Sequence, residues 1–142
     1  VGDERRKALP IRGLDHVAIT CADVEATLDF YKRVLGATTR YEQEWRAGQI
    51  PVVILQLGAS RISVHDAASP AKPHAAAPTP GSEDVCFRFD GPIAEAASML
   101  AGHGVEVIEG PVPRPAADGG LGQSVYFRDP DGNLLELLST DG

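Results

Sequence analysis

The sequence predicts an α+β protein made of two tandem βαβββ modules, and three observations support that fold class. The first is an internal repeat: each half opens on an alternating strand, runs into a helix, and returns to strands, the last bearing one polar residue among apolar ones. The second is that both helical patterns are bounded by residues suited to helix ends. The third is the segment ASPAKPHAAAPTPGS (68–82), whose prolines disfavour regular structure and mark a linker between the halves. The predicted organisation is a flexible N-terminus (1–10), a first module (11–67), the linker (68–82), a second module (83–139) and a C-terminal tail (140–142).

In the first module LDHVAIT (14–20) alternates as a strand does, with Leu14, His16, Ala18 and Thr20 on one face. Asp23 is a candidate helix cap, and Val24, Leu28, Tyr31 and Leu35 recur on one helical face that Gly36 would terminate. Three strands are expected next, at 37–45, 50–58 and 61–67. In the second module, 83–89 reads as a strand and 92–104 as a helix with Pro92 at its start and Gly104 at its end. Residues 104–110, 122–129 and 133–139 read as strands, DPDG (129–132) as a tight turn, and 110–122 as a long Pro/Gly loop.

Composition narrows the function classes. At 142 residues, with 43% hydrophobic and 23% charged residues, the chain has an ordinary globular balance. Its apolar runs, such as PVVIL (51–55), are too short to cross a bilayer, and the first ten residues lack the apolar block of a signal peptide. A cytoplasmic protein with no membrane partner is expected. The net charge of −7 argues against a nucleic-acid partner, and the only basic cluster is Arg5–Arg6–Lys7. Cys21 and Cys86 form no CxxC pair and are expected to be buried small hydrophobes.

Matching the halves by hand sets His16 opposite Asp84 and His65 opposite Glu136, with 49 residues from His16 to His65 and 52 from Asp84 to Glu136. Two imidazoles and one carboxylate make the facial set of a non-heme Fe(II) site, so His16, His65 and Glu136 are the expected metal ligands. Glu136 sits among four leucines, a costly place for a lone carboxylate; a bound cation, a buried Arg or protonation would each relieve the cost. The bland alternatives are a hydrogen-bonded structural His on each strand and an edge-strand Glu facing water. Asp84 is a further candidate ligand, or a residue that orients one. Tyr126 and Arg128 share a strand face that could meet the pocket, where Arg128 would pair with a substrate anion or with Asp129. Trp45 and Phe87 are candidate pocket walls, though strand aromatics usually pack in cores. His74 could reach the site from the linker, and His103 is expected to be exposed at a helix end.

The segments LDHVAITCADVEATLDFYKRVLG and SVYFRDPDGNLLELLS resemble the opening and closing signatures of the vicinal oxygen chelate superfamily, which includes glyoxalase I, extradiol dioxygenases, fosfomycin-resistance enzymes and bleomycin-resistance proteins. The resemblance covers about residues 11–139, and ISVHDA and PTPGSEDVCF are most similar to glyoxalase-domain-containing proteins and to bacterial relatives of biphenyl-diol dioxygenase. It implies a cupped eight-stranded mixed sheet, often in a homodimer, with the metal inside. It matches His16 to the first-strand ligand and Glu136 to the last-strand carboxylate. Extradiol and fosfomycin enzymes usually have His where this chain has Asp84, and glyoxalase I often has Glu where this chain has His65. The expected activity is an extradiol-type dioxygenase, or a related oxygenase, acting on a phenolic or enolic small molecule chelated to a divalent metal, Fe(II) before Mn, Zn, Ni or Co. One alternative is a glyoxalase-like isomerase or lyase, or a thiol or epoxide transferase; another is a metal-free drug-binding resistance protein.

Overall fold

The computed structural model describes residues 10–142, so all but Pro10 of the expected flexible N-terminus, including Arg5–Arg6–Lys7, lies outside the described residues. Along the chain come β1 (Val17–Cys21), α1 (Val24–Leu35), β2 (Thr38–Arg40), α2 (Glu42–Arg46), β3 (Val52–Leu57) and β4 (Ser60–Asp66). Then follow β5 (Asp84–Arg88), α3 (Ile93–Gly102), β6 (Glu109–Pro115), β7 (Leu121–Arg128) and β8 (Leu134–Ser139). The eight strands form two four-stranded sheets of identical topology, β1-β4-β3-β2 and β5-β8-β7-β6. The first and last strands of each module run parallel and the other pairs antiparallel, so both sheets are mixed. No described helix is long and apolar enough to cross a membrane.

Period-two alternation gives each sheet an inner and an open face. Ile19, Cys21, Val53, Leu55, Ile62 and Val64 of the first sheet join Val125, Phe127, Leu135 and Leu137 of the second in one core with α1 and α3. Helix α1 shows why the pattern was readable. Asp23 has extended backbone and its carboxylate accepts from Ala26 N at 3.1 Å, while Gly36 ends the helix in the left-handed region at φ 70°. Lys32 and Arg33 fall in the last turn, where cations favour the helix dipole. Leu28 is 2% exposed, and burying it contributes about 2 kcal/mol.

Two expected strands fall elsewhere. Residues 37–45 do not form one strand: β2 stops at Arg40, Tyr41 takes φ 69°, and α2 follows. Glu42 explains the switch, because its carboxylate accepts from Lys32 Nζ at 2.6 Å, Thr39 Oγ1 at 2.8 Å and Arg46 Nη2 at 2.7 Å. Nor is the second strand of the second module at 104–110; it is β6, largely inside the expected loop. Pro111, Pro113 and Pro115 alternate, so their missing N–H groups share one side, which an edge strand pairing only with β7 can turn outward. Cys21 is buried as expected, but Cys86 lies on the open face of β5 and is exposed.

The Glu42 cluster carries a pH prediction. Hydrogen bonds from Lys32 and Arg46 pull the Glu42 carboxyl from its ordinary 4.5 to about 2. A depressed folded value means the stabilisation is complete above the unfolded value and is lost as pH falls toward 2. The partners are partly solvated, so the contribution is about 1 kcal/mol. Urea unfolding of Glu42→Gln should show that deficit near neutral pH and none near pH 2; a deficit constant with pH would exclude the ion cluster as its source.

The turn after β7 ties the two modules together. Asp129, 6% exposed, accepts from Tyr31 Oη at 2.7 Å, Asn133 N at 3.0 Å, Asn133 Nδ2 at 2.8 Å and Asp131 N at 3.0 Å. Asp131 in turn accepts from Ala22 N at 3.0 Å just before α1, and Asn133 Oδ1 accepts from Glu83 N at 2.9 Å just before β5. Gly81 of the linker packs there too: a Cβ on it would stand 2.6 Å from the Asp131 carbonyl oxygen, and its φ is 83°. The DPDGN segment is therefore a clamp between halves.

Candidate functional site

The open faces hold the polar residues, and these line two separate cavities. On the first sheet, His16 immediately precedes β1 and His65 lies on β4 opposite Thr20. Both line a cavity of about 400 Å³ walled by Pro70, Pro73, His74 and Pro78 of the linker. His74 thus lines the same cavity as His16 and His65. Its Nδ1 donates to Ala75 O at 2.8 Å, which leaves Nε2 unprotonated in the neutral ring.

His16 has one ring nitrogen engaged. Its Nδ1 contacts Asp15 Oδ1 at 2.8 Å in an exposed pair, a contact that does not involve Nε2. The same contact lowers the Asp15 carboxyl below its usual range. Burial, and then the nearby His16, push the His65 imidazole below its ordinary value. The Nε2 of His65 contacts Ser63 Oγ at 3.1 Å.

On the second sheet Glu136 of β8 faces Cys86 of β5 and Tyr126 of β7 across the ladders. Ser124 Oγ donates to Glu136 Oε2 at 2.5 Å. Asp84, Glu109, Arg114, Tyr126, Arg128 and Glu136 surround a second cavity of about 510 Å³. Among the described residues no three His, Cys, Asp or Glu side chains come together as a metal site within this chain. His16 and His65 line one cavity and Glu136 lines another, so the sequence-derived ligand set is split between the modules.

Strand register also revises the hand matching. Ala18 faces Ser63 across β1 and β4, and Cys86 faces Glu136 across β5 and β8. Setting His16 on Asp84 carries Ala18 onto Cys86, and so Ser63, not His65, onto Glu136. His65 lies two residues further along the same face. Both residues look alike in a linear alternation, and only the pairing partner separates them.

The two expected wall aromatics lie elsewhere. Trp45 rides on α2 beside Gln49, Ile50 and Asp66. Phe87 has the parity of Val85 and packs against the core, away from Asp84 and Cys86. Tyr126 and Arg128 do share the open face. Arg128 makes no pair with Asp129, whose carboxylate is committed to Tyr31 and Asn133; it donates to Gly132 O at 3.1 Å. Sequence reasoning missed Ser63, Cys86, Glu109 and Arg114. The first two were visible by parity, Glu109 lies near the end of the strand expected at 104–110, and Arg114 falls in the stretch expected to be a loop. The Cys86 thiol is pushed up to about 11, first by burial and then by Glu136, so it is a poor nucleophile.

The Glyoxalase/Bleomycin resistance protein/Dioxygenase superfamily profile matches residues 13–137. The chain is 40% identical over 135 residues to glyoxalase domain-containing protein RDO1 of Mycosarcoma maydis, covering 95% of this chain and 72% of that one. It is 38% identical over 125 residues to virulence protein STM3117 of Salmonella typhimurium, covering 87% and 81%. The crystal structure of STM3117 superposes with a TM-score of 0.82 over 92% of this chain and 98% of that one, at 37% identity. A fosfomycin resistance protein, FosX from Listeria monocytogenes, solved with Mn(II), shares the fold at a TM-score of 0.60 and 20% identity over 93% and 92% of the two chains.

Proposed function

The chain belongs to the Glyoxalase/Bleomycin resistance protein/Dioxygenase superfamily, and from that premise we propose a metal-dependent enzyme whose site is completed by a second copy of the chain. The observation that carries this reading is the division of the donors between two open half-sites. Each half-site adjoins a strand, β1 or β5, that stands at the edge of its sheet among the described residues. Ile11 and Leu14 beside β1 are 81% and 86% exposed, and Leu121 of β7 is 86% exposed, apolar surface suited to burial against a partner. In a two-fold homodimer, the first sheet of one copy would face the second sheet of the other, and two equivalent sites would close.

The donors fit a divalent cation in that arrangement. His16, oriented by Asp15, would come from one copy; Glu136, with Oε2 held by Ser124, and Asp84 would come from the second. His65 borders the same cavity as His16 and is a further donor from one step away. One or two imidazoles with carboxylates suit Fe(II) or Mn(II), with Zn, Ni and Co as other occupants. Such a cation supplies Lewis-acid polarisation of two neighbouring oxygens of a small substrate. The protein's part is to orient the substrate between linker and β7, to exclude water, and to move a proton through a free Nε2 such as that of His74. The geometry favours polarisation chemistry, isomerisation or addition, because the register separates His65 from Ser63, the repeat equivalent of Glu136. Extradiol-type oxygenation is the second reading, favoured by the presence of two imidazoles at one cavity.

Mixing inactive partners tests the composite site. His16→Ala and Glu136→Gln should each fail to retain Mn(II) alone. Unfolded together and refolded as an equal mixture, they should recover about one quarter of the wild-type Mn(II), because half the dimers are mixed and each holds one intact site. No recovery, with dimers present by ultracentrifugation, would place the donors in one chain or none. A monomeric wild type would end the reading.

A further inference from the structure

Two arginines in the second half-site are not accounted for by metal binding. Arg128 lies on the open face of β7, two residues from Tyr126, and its hydrogen bond to Gly132 O uses one of five guanidinium N–H groups. Among the described residues no carboxylate forms an ion pair with it. Its chain neighbour Asp129 points into the core and cannot neutralise it.

Arg114 is held in place from the neighbouring strand. Its Nε donates to Tyr126 Oη at 2.9 Å, Nη1 donates to Pro113 O at 2.9 Å, Nη2 pairs with Glu109 at 3.2 Å, and its guanidinium carbon lies 5.5 Å from the Tyr126 ring centre. Tyr126 is the cross-strand partner of Glu136, so these contacts draw a fixed cation toward the carboxylate proposed to hold metal. Glu109 is committed to Arg114, and Asp84 and Glu136 would be neutralised by a divalent cation. Arg128 is then the uncompensated charge in the cavity.

We infer that Arg128 and Arg114, on either side of Tyr126, form an anion subsite, so that the substrate is a small acid carrying a carboxylate beside its metal-chelating oxygens. The inference rests on the reading of Glu136 as a metal ligand and adds a substrate class to it. Arg128, with four N–H groups uncommitted, can bind a carboxylate in a bidentate manner that a water molecule cannot replace, and Arg114 adds fixed positive charge beside it.

Malate and 2-hydroxybutanoate offer the same hydroxyl–carboxylate chelate, but only malate adds a second carboxylate. Calorimetric titration of Mn(II)-loaded protein at low salt should give malate at least about a tenfold tighter affinity, shrinking as salt screens the pair. The preference should fall toward one in Arg128→Gln and in Arg114→Gln, and Arg128→Lys should keep part of it. Thermal unfolding checks that each variant is folded, and Mn(II) stoichiometry by electron paramagnetic resonance should match wild type in all three. Equal affinities in the wild type, or a preference that survives the Arg114→Gln/Arg128→Gln double variant, would overturn the subsite. The same pair is titrated against metal-free protein. A chain that takes up no Mn(II) yet prefers malate through Arg128 fails the metal reading and keeps the subsite; one that binds Mn(II) without the preference does the reverse.

Discussion

Asp129→Ala is expected to destabilise the protein by about 3–5 kcal/mol, the cost of leaving several buried donors without their shared acceptor. Four hydrogen bonds converge on this carboxylate, from Tyr31, Asp131 and twice from Asn133. The Tyr31 hydroxyl is held protonated by burial and by Asp129, so it has no other state in which to dispense with an acceptor. Tyr31→Phe makes the matched comparison. It removes one donor and leaves the carboxylate three others, so its cost should be about 1–2 kcal/mol. Urea unfolding of both variants measures the difference. If Asp129→Ala costs no more than Tyr31→Phe, the convergence of bonds is not what holds the halves together.

Glu136→Gln should weaken Mn(II) binding by about a hundredfold or more, since a neutral amide replaces an anionic donor while keeping shape and the Ser124 contact. His16→Ala should match it. Variants that only disturb orientation should cost less: Asp15→Asn and Ser124→Ala about tenfold each. His65→Ala is the informative case. Its register position, two residues beyond Ser63, the repeat equivalent of Glu136, predicts a loss nearer tenfold than a hundredfold. Competition titrations against a chelator rank the series. A loss for His65→Ala equal to that for Glu136→Gln would restore the two-imidazole set and with it the oxygenase reading.

Much of this architecture was legible from the chain. Local signals such as Asp23 and Gly36 act within a few residues, so they read correctly without tertiary context. The β6 strand did not, because Pro111, Pro113 and Pro115 argue against a strand unless its neighbours are known to lie on one side only. At the site, His16, His74, Asp84, Tyr126, Arg128 and Glu136 do lie on open half-site surfaces. The register of His65 and the separation of the two cavities depend on pairings between strands more than forty residues apart, which periodicity alone does not encode. The DPDGN segment shows the opposite failure. It stood out as a signature beside a candidate ligand, yet its side chains are spent on joining the modules.

That clamp bears on how the chain is made. The acceptors for Tyr31 and for the amide of Ala22 arrive 98 and 109 residues later in the sequence. During synthesis from the N-terminus, the first module leaves the ribosome with its helix unanchored and its half of the shared core uncovered. Apolar β1 and β4 must wait, through the proline linker and most of the second module, for the last hairpin to close over them. Each newborn chain therefore passes through an interval in which its first half is complete in sequence but unfinished in structure, and chaperone demand should concentrate there.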